Sequence, residues 1–122
     1  IANLDIKGTF HMDQGYYYFR NINDRILFGG GRQLDLKGET TSDFGLNASI
    51  QETLSKLLNS VILPQTAFEI DDRWSGIMGV GNQKIPLIKT FSDQLYCGVG
   101  LGGMGVAIGN LVGKKLAETI NL

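Results

Sequence analysis

Hydrophobic and polar residues alternate over the first part of the chain in the way typical of antiparallel strands. Apolar positions recur loosely over 4–12, starting at Leu4, and a β-prone aromatic run covers 16–20. A third short strand is predicted over 25–28, and turn residues separate the three runs. The pattern therefore predicts an antiparallel meander with hairpin-length connections.

Aromatic residues occupy both faces of the second predicted strand. Because successive side chains in a strand point to opposite faces, Tyr17 and Phe19 should lie on one face. Tyr16, Tyr18 and Arg20 should then lie on the other. Two interpretations stay open here: aromatic side chains packed in a core, or one face turned towards a ligand.

A helical pattern follows the meander. Ser49 and Glu52 have the spacing of a capping box, and Pro64 requires the helix to end by about Leu63. This helix, predicted over 49–63, should cover one face of the sheet through a single apolar stripe. That stripe consists of Ile50, Leu54, Leu57, Leu58 and Val61.

The second half of the chain predicts further strands and a second helix. A long strand is predicted over 67–78, bent near Ser75 and Gly76, and a shorter one over 85–91. A strand, a glycine-rich turn and a helix follow over 95–122. The order predicts an α+β fold: an antiparallel β-sheet covered by one long helix, plus a C-terminal strand and glycine-rich helix.

Glycines dominate the turn and the start of that last helix. The pattern G-x-G-x-x-G occurs twice, at Gly98, Gly100 and Gly103 and again at Gly100, Gly102 and Gly105. A self-sufficient dinucleotide fold also needs a following strand that ends in an acidic residue. The acidic residue at a suitable distance, Glu118, falls inside the predicted helix, so we do not expect such a fold.

The helix also has glycine at every fourth position, which places these residues on one face. They are Gly105, Gly109 and Gly113, and no formal charge occurs over 95–113. Three interpretations stay open: tight packing of the helix on a sheet, close approach of a flat ligand, or a membrane span. Asn110 and the many glycines make the stretch only weakly apolar, so we expect no membrane span.

Composition excludes several kinds of site. The formal net charge is −1, which does not indicate a nucleic-acid or lipid surface. With one cysteine (Cys97) and one histidine (His11), neither an internal disulfide nor a zinc site of clustered ligands is expected. We expect no metal. No signal peptide is recognised at the start of the sequence, so a cytoplasmic protein is expected.

Five motifs in order resemble one protein family over nearly the whole chain. They are YYYFRNINDRILFGGG from Tyr16, LP at Leu63, DRWSGIMG from Asp72, IPLI from Ile85 and GLGGMGVAIGNLVG from Gly100. This ordered set resembles the C-terminal part of FAD-dependent oxidoreductases of the D-amino-acid oxidase and glycine oxidase type. The resemblance implies a substrate-domain portion over 1–94 and, over 95–122, the strand, loop and helix that complete an FAD-binding domain. It also implies a preceding segment that carries the FAD fingerprint.

The resemblance implies roles for particular residues. The loop 100–106 would lie beside the pyrimidine edge of the flavin, where backbone N–H groups stabilise negative charge on the reduced ring. Its cofactor-binding residues would be Gly100, Leu101, Gly102, Gly103, Met104, Gly105 and Val106. The substrate pocket would include Tyr17, Arg73, Trp74 and Met78. No catalytic residue is assigned.

Two positions depart from that family. Glycine-oxidase-like members have carboxylate-clamping arginines where this chain has Met78 and Gly103. The resemblance therefore implies part of a flavin enzyme for a small amine or amino-acid-like substrate, without the usual arginines. We expect these 122 residues alone to be inactive. The alternative is a non-enzymatic α+β module for interaction or oligomerisation. A homo-oligomer is compatible with both hypotheses.

Overall fold

A computed structural model of the chain describes residues 5–83 and 85–120 and has the expected α+β fold with antiparallel sheets. Leu4, where the first strand was predicted to start, lies outside the described residues. The strands are β1 (Thr9–Met12), β2 (Tyr17–Ile22), β3 (Arg25–Gly30), β4 (Leu87–Ser92) and β5 (Leu95–Val99), and the helices are α1 (Ala48–Leu57) and α2 (Gly105–Thr119).

The chain divides into two compact units, 1–75 and 76–122. The first contains the three-stranded sheet β1–β2–β3 and helix α1, and the second contains the two-stranded sheet β4–β5 and helix α2. The predicted single sheet is therefore two separate sheets. The predicted boundary after residue 94 concerns the functional domains of a whole enzyme, and it stays a prediction.

The three-stranded sheet is antiparallel throughout, and its register places aromatic rings in a row. Phe10, Phe19 and Phe28 are cross-strand neighbours. The rings of Phe10 and Phe19 stack with centroids 4.7 Å apart, and Phe28 meets Phe19 edge-on at 6.4 Å. Such pairs contribute beyond the area that they bury. On the opposite face, the half-exposed Tyr18 lies over its cross-strand neighbour Gly29.

The N-cap of helix α1 lies two residues earlier than the capping-box pattern predicts. The side chain of Asn47 accepts hydrogen bonds from the amides of Ser49 (3.1 Å) and Ile50 (3.4 Å), so Asn47 caps the helix instead of Ser49. An asparagine at this position satisfies amides that have no partner inside the helix.

The other end of α1 widens into a π-helical turn, Leu58–Ile62, in which the amide of Leu63 donates to the carbonyl of Leu58. A π turn contains more residues per turn than an α-helix, so it rotates the following side chains. As a result Ile62 is buried and Val61 is 54% exposed, which corrects the predicted apolar stripe.

No strand forms over 67–78, and this prediction was wrong. The segment is held through side chains instead. Arg25 forms an ion pair with Asp71, and the hydroxyl of Ser75 donates to the carbonyl of Gly45 at 2.5 Å. A strand needs the backbone of a neighbouring strand as a partner, and side-chain attachments of this kind supply none.

Helix α2 packs on one face of the β4–β5 hairpin, and Gly98 permits the close approach. A Cβ at Gly98 would lie 2.8 Å from Cγ1 of Val112, the buried residue of α2. By contrast, beyond the backbone of α2 itself, no described atom lies within 4 Å of a Cβ built at Gly109 or Gly113. Tight packing therefore depends on the strand glycine and not on these two helix glycines. Neither helix of the described ranges has the length and apolar character needed to cross a bilayer.

Candidate functional site

The glycine-rich loop connects β5 to α2 and has a backbone that side chains would disfavour. Gly100, Gly102 and Gly103 have φ angles of +76°, +57° and +85°, in the left-handed region where glycine carries no steric penalty. The amide of Gly102 donates to the carbonyl of Gly79 at 3.0 Å, and that of Met104 donates to Leu101 at 2.8 Å. The loop is therefore a defined backbone structure held by its own hydrogen bonds.

Backbone amides without acceptors gather where α2 begins. Met104 is the N-cap, and its carbonyl accepts from both Ala107 and Ile108 at 3.0 Å. Within 5–83 and 85–120, the amides of Gly103, Gly105 and Val106 have no hydrogen-bond acceptor. Such amides carry partial positive charge at a helix N-terminus, so the loop can bind an electron-rich group from outside.

The outer side of this loop is open. Apart from its two neighbours in the chain, no described residue has an atom within 4 Å of a Cβ built at Gly102. Val106 is fully exposed, and Met104 is 57% exposed. Bare glycine backbone with unpaired amide donors leaves room for a flat ring that has acceptors along one edge. The residues predicted at 100–106 are adjacent because they are consecutive in sequence. The structure adds that their backbone has room for a planar ligand on one side.

Met78, one of the predicted pocket residues, contacts the loop within the second unit. Its Sδ lies 3.1 Å from the position that a Cβ at Gly103 would occupy, and 42% of Met78 is exposed. The neighbouring Gly79 approaches Gly100 closely and accepts the hydrogen bond from Gly102. Sequence reasoning did not single out Gly79. Gly79 falls between the strands predicted over 67–78 and 85–91, where the sequence gives no indication of a contact with the loop.

Tyr17 is a core residue of the first unit. It is 7% exposed, and its ring lies 6.3 Å from that of Phe28. A Cβ at Gly31 would touch both Tyr17 and Ile50, which shows that α1 covers this end of the sheet. Tyr17 therefore packs in the core between the sheet and α1. The substrate role that the resemblance implies stays a prediction.

Arg73 and Trp74 lie elsewhere in the first unit. The guanidinium of Arg73 donates to Oε1 of Gln51 at 2.6 Å and to Oγ of Ser55 at 3.2 Å, which ties it to α1. Trp74 is 64% exposed and lines an open groove of about 1020 Å³ beside the ion pair of Arg25 and Asp71. Arg73 therefore has a structural contact, whereas Trp74 is available to a ligand.

Titratable chemistry is sparse across the described ranges. No group of three or more histidine, cysteine, aspartate or glutamate side chains gathers there in a metal-binding arrangement. On α1, the hydrogen bond from Lys56, 2.7 Å away, and its positive charge lower the pKa of the exposed carboxyl of Glu52. This pair is an ordinary surface contact of a helix.

Comparison with protein-family models places the chain in a family of enzymes. A family model described as FAD dependent oxidoreductase matches residues 2–119. No curated protein and no solved structure matches the chain.

Proposed function

The chain belongs to the family of FAD-dependent oxidoreductases, and from this premise we propose that it supplies the flavin-contacting loop and part of the substrate pocket of such an enzyme. The substrate would be an amine or an amino-acid-like molecule. The observation that carries the proposal is the open loop before α2, whose glycine backbone and unpaired amides fit the edge of a flavin ring.

The residues of the loop would act through their backbone. When bound, FAD supplies the chemistry, since it accepts the electrons removed from a C–N or similar bond. The amides of Gly103, Gly105 and Val106 would hold the electron-rich edge of the ring and stabilise negative charge there. Gly102, with its open surroundings, would allow the ring to lie against the backbone.

We further propose that these residues form the C-terminal part of the enzyme and that a preceding segment binds the pyrophosphate and ribose of FAD. Support comes from the sheets: both are antiparallel, so the described residues contain no parallel β-α-β unit of the kind that binds dinucleotides. A homo-oligomer and a cytoplasmic location remain predictions.

On the substrate side, the contacts support the candidates unequally. Met78 is half-exposed and touches the loop, and Trp74 is exposed. Tyr17 and Arg73 are engaged in packing and hydrogen bonds within the first unit. For these two, the proposed role rests on the resemblance alone. The alternative of a non-enzymatic module gains no support from the family match.

The test is the visible absorption spectrum of the natural full-length protein, purified without added cofactor. We expect a flavin spectrum that bleaches under anaerobic conditions on addition of an amine or amino acid. A colourless protein that takes up no added FAD would contradict the proposal.

A further inference from the structure

Two segments of the second unit meet at the base of the glycine-rich loop. The thioether of Met78 lies against Gly103, and the next residue, Gly79, accepts the hydrogen bond from Gly102. Two adjacent contacts fix Met78 relative to the loop, while 42% of its surface remains exposed. Met78 is therefore both positioned and accessible.

The two segments that form this contact, 75–83 and 95–113, carry no charged side chain: neither contains aspartate, glutamate, lysine or arginine. The residues that flank Met78 and Gly103 in sequence are apolar and exposed: Ile77 (51%), Val80 (57%), Met104 (57%) and Val106. An ionised carboxylate held here would find no cationic side chain from these two segments to compensate its lost hydration.

We propose that Met78, resting on Gly103, is a specificity-determining residue that receives an uncharged, apolar group of the substrate. The enzyme then prefers amines that lack a carboxylate beside the amino group. A methionine suits this role because its flexible, polarisable thioether adapts to alkyl and aryl groups. This inference rests on the proposed function, and it assigns the free amides of the loop to the flavin and not to a substrate anion.

The experiment compares ligands that differ only by a carboxylate. The pairs are phenethylamine with phenylalanine and butylamine with norvaline, each titrated anaerobically into the flavin-containing full-length protein. Binding is measured by calorimetry and by the change in the flavin spectrum. We expect each amine to bind at least about tenfold tighter than its amino acid, a difference of about 1.4 kcal/mol.

The variant Met78→Arg provides the gain-of-function arm. A guanidinium at this exposed position would form charge-assisted hydrogen bonds with a carboxylate. We therefore expect the preference to shift towards the amino acids by about tenfold or more, since such bonds are worth about 1.5–3 kcal/mol. The matched control Met78→Leu keeps the apolar volume and should keep the preference for amines.

The outcomes separate this inference from the proposed function. A protein that neither contains nor takes up flavin overturns the proposed function. A flavoprotein that binds the amino acids as tightly as the amines, or that binds neither amine, overturns the role of Met78 alone. Carboxylate binding by the flavin-free protein would assign the loop amides to a substrate anion and would likewise overturn it.

Discussion

Among single residues, Gly98 is the one whose missing side chain most directly determines the packing of α2. A Cβ there would lie 2.8 Å from Cγ1 of Val112, much closer than carbon atoms approach in proteins. We expect Gly98→Ala to lower the free energy of unfolding by about 1–3 kcal/mol, the usual cost of overpacking. Urea denaturation followed by circular dichroism measures the change.

The matched control for this prediction is Gly109→Ala, because a Cβ built at this glycine meets no described atom within 4 Å beyond the backbone of α2 itself. This change should raise the free energy of unfolding by roughly 0.5–1 kcal/mol, because alanine favours the helix interior. In the Val112→Ala background, Gly98→Ala should cost less than it does alone. Equal costs in both backgrounds would show that the contact with Val112 is not the cause.

For helix α1, the cap is the feature that the structure places at a different residue from the sequence pattern. Asn47→Ala removes the acceptor for the amides of Ser49 and Ile50, so we expect a loss of about 1 kcal/mol in the free energy of unfolding. Ser49→Ala should change it by less than about 0.5 kcal/mol. If Ser49→Ala is the more costly change in thermal unfolding, the capping box predicted from sequence is correct after all.

Asn47 also donates through its side-chain amide to Asp35 (3.1 Å) and Glu39 (3.2 Å). The variant Asn47→Ser separates these two functions, because serine retains a capping oxygen and lacks the amide donor. If Asn47→Ser changes the free energy of unfolding little and Asn47→Ala lowers it strongly, the capping hydrogen bonds are the source of the stabilisation.

The elements show where sequence reasoning succeeds and where it stops. The hairpins and the strand, loop and helix over 95–119 were predictable because turn residues and short-range periodicity specify them locally. The strand predicted over 67–78 fails because a strand depends on a partner edge that no local pattern reveals. The buried face of α1 contains Ile62 and not the predicted Val61, because a π turn changes the number of residues per turn. A prediction from α-helical periodicity cannot account for such a turn.

Within the candidate site, too, some features were predictable from the sequence and others were not. The loop could be identified from its glycines alone, since left-handed turns and close backbone approach both favour that residue. The contact of Met78 with Gly103 joins residues far apart in sequence, and only the folded chain reveals it. Likewise, the burial of Tyr17 beneath α1 depends on tertiary packing that strand alternation does not specify.

Taken as a whole molecule, the chain has the glycine-rich loop that we propose contacts a flavin, but no dinucleotide-binding unit within its described residues. Three loop amides are available to a flavin, at about 0.5–1.5 kcal/mol each. Their sum, a few kcal/mol, corresponds to a dissociation constant in roughly the millimolar range. We therefore expect the 122-residue chain to bind FAD weakly in a fluorescence-quenching titration, whereas the natural full-length protein retains it through gel filtration. Micromolar or tighter binding by the 122-residue chain would mean that its own residues hold the pyrophosphate, and the proposed division of the FAD site between two segments would be wrong.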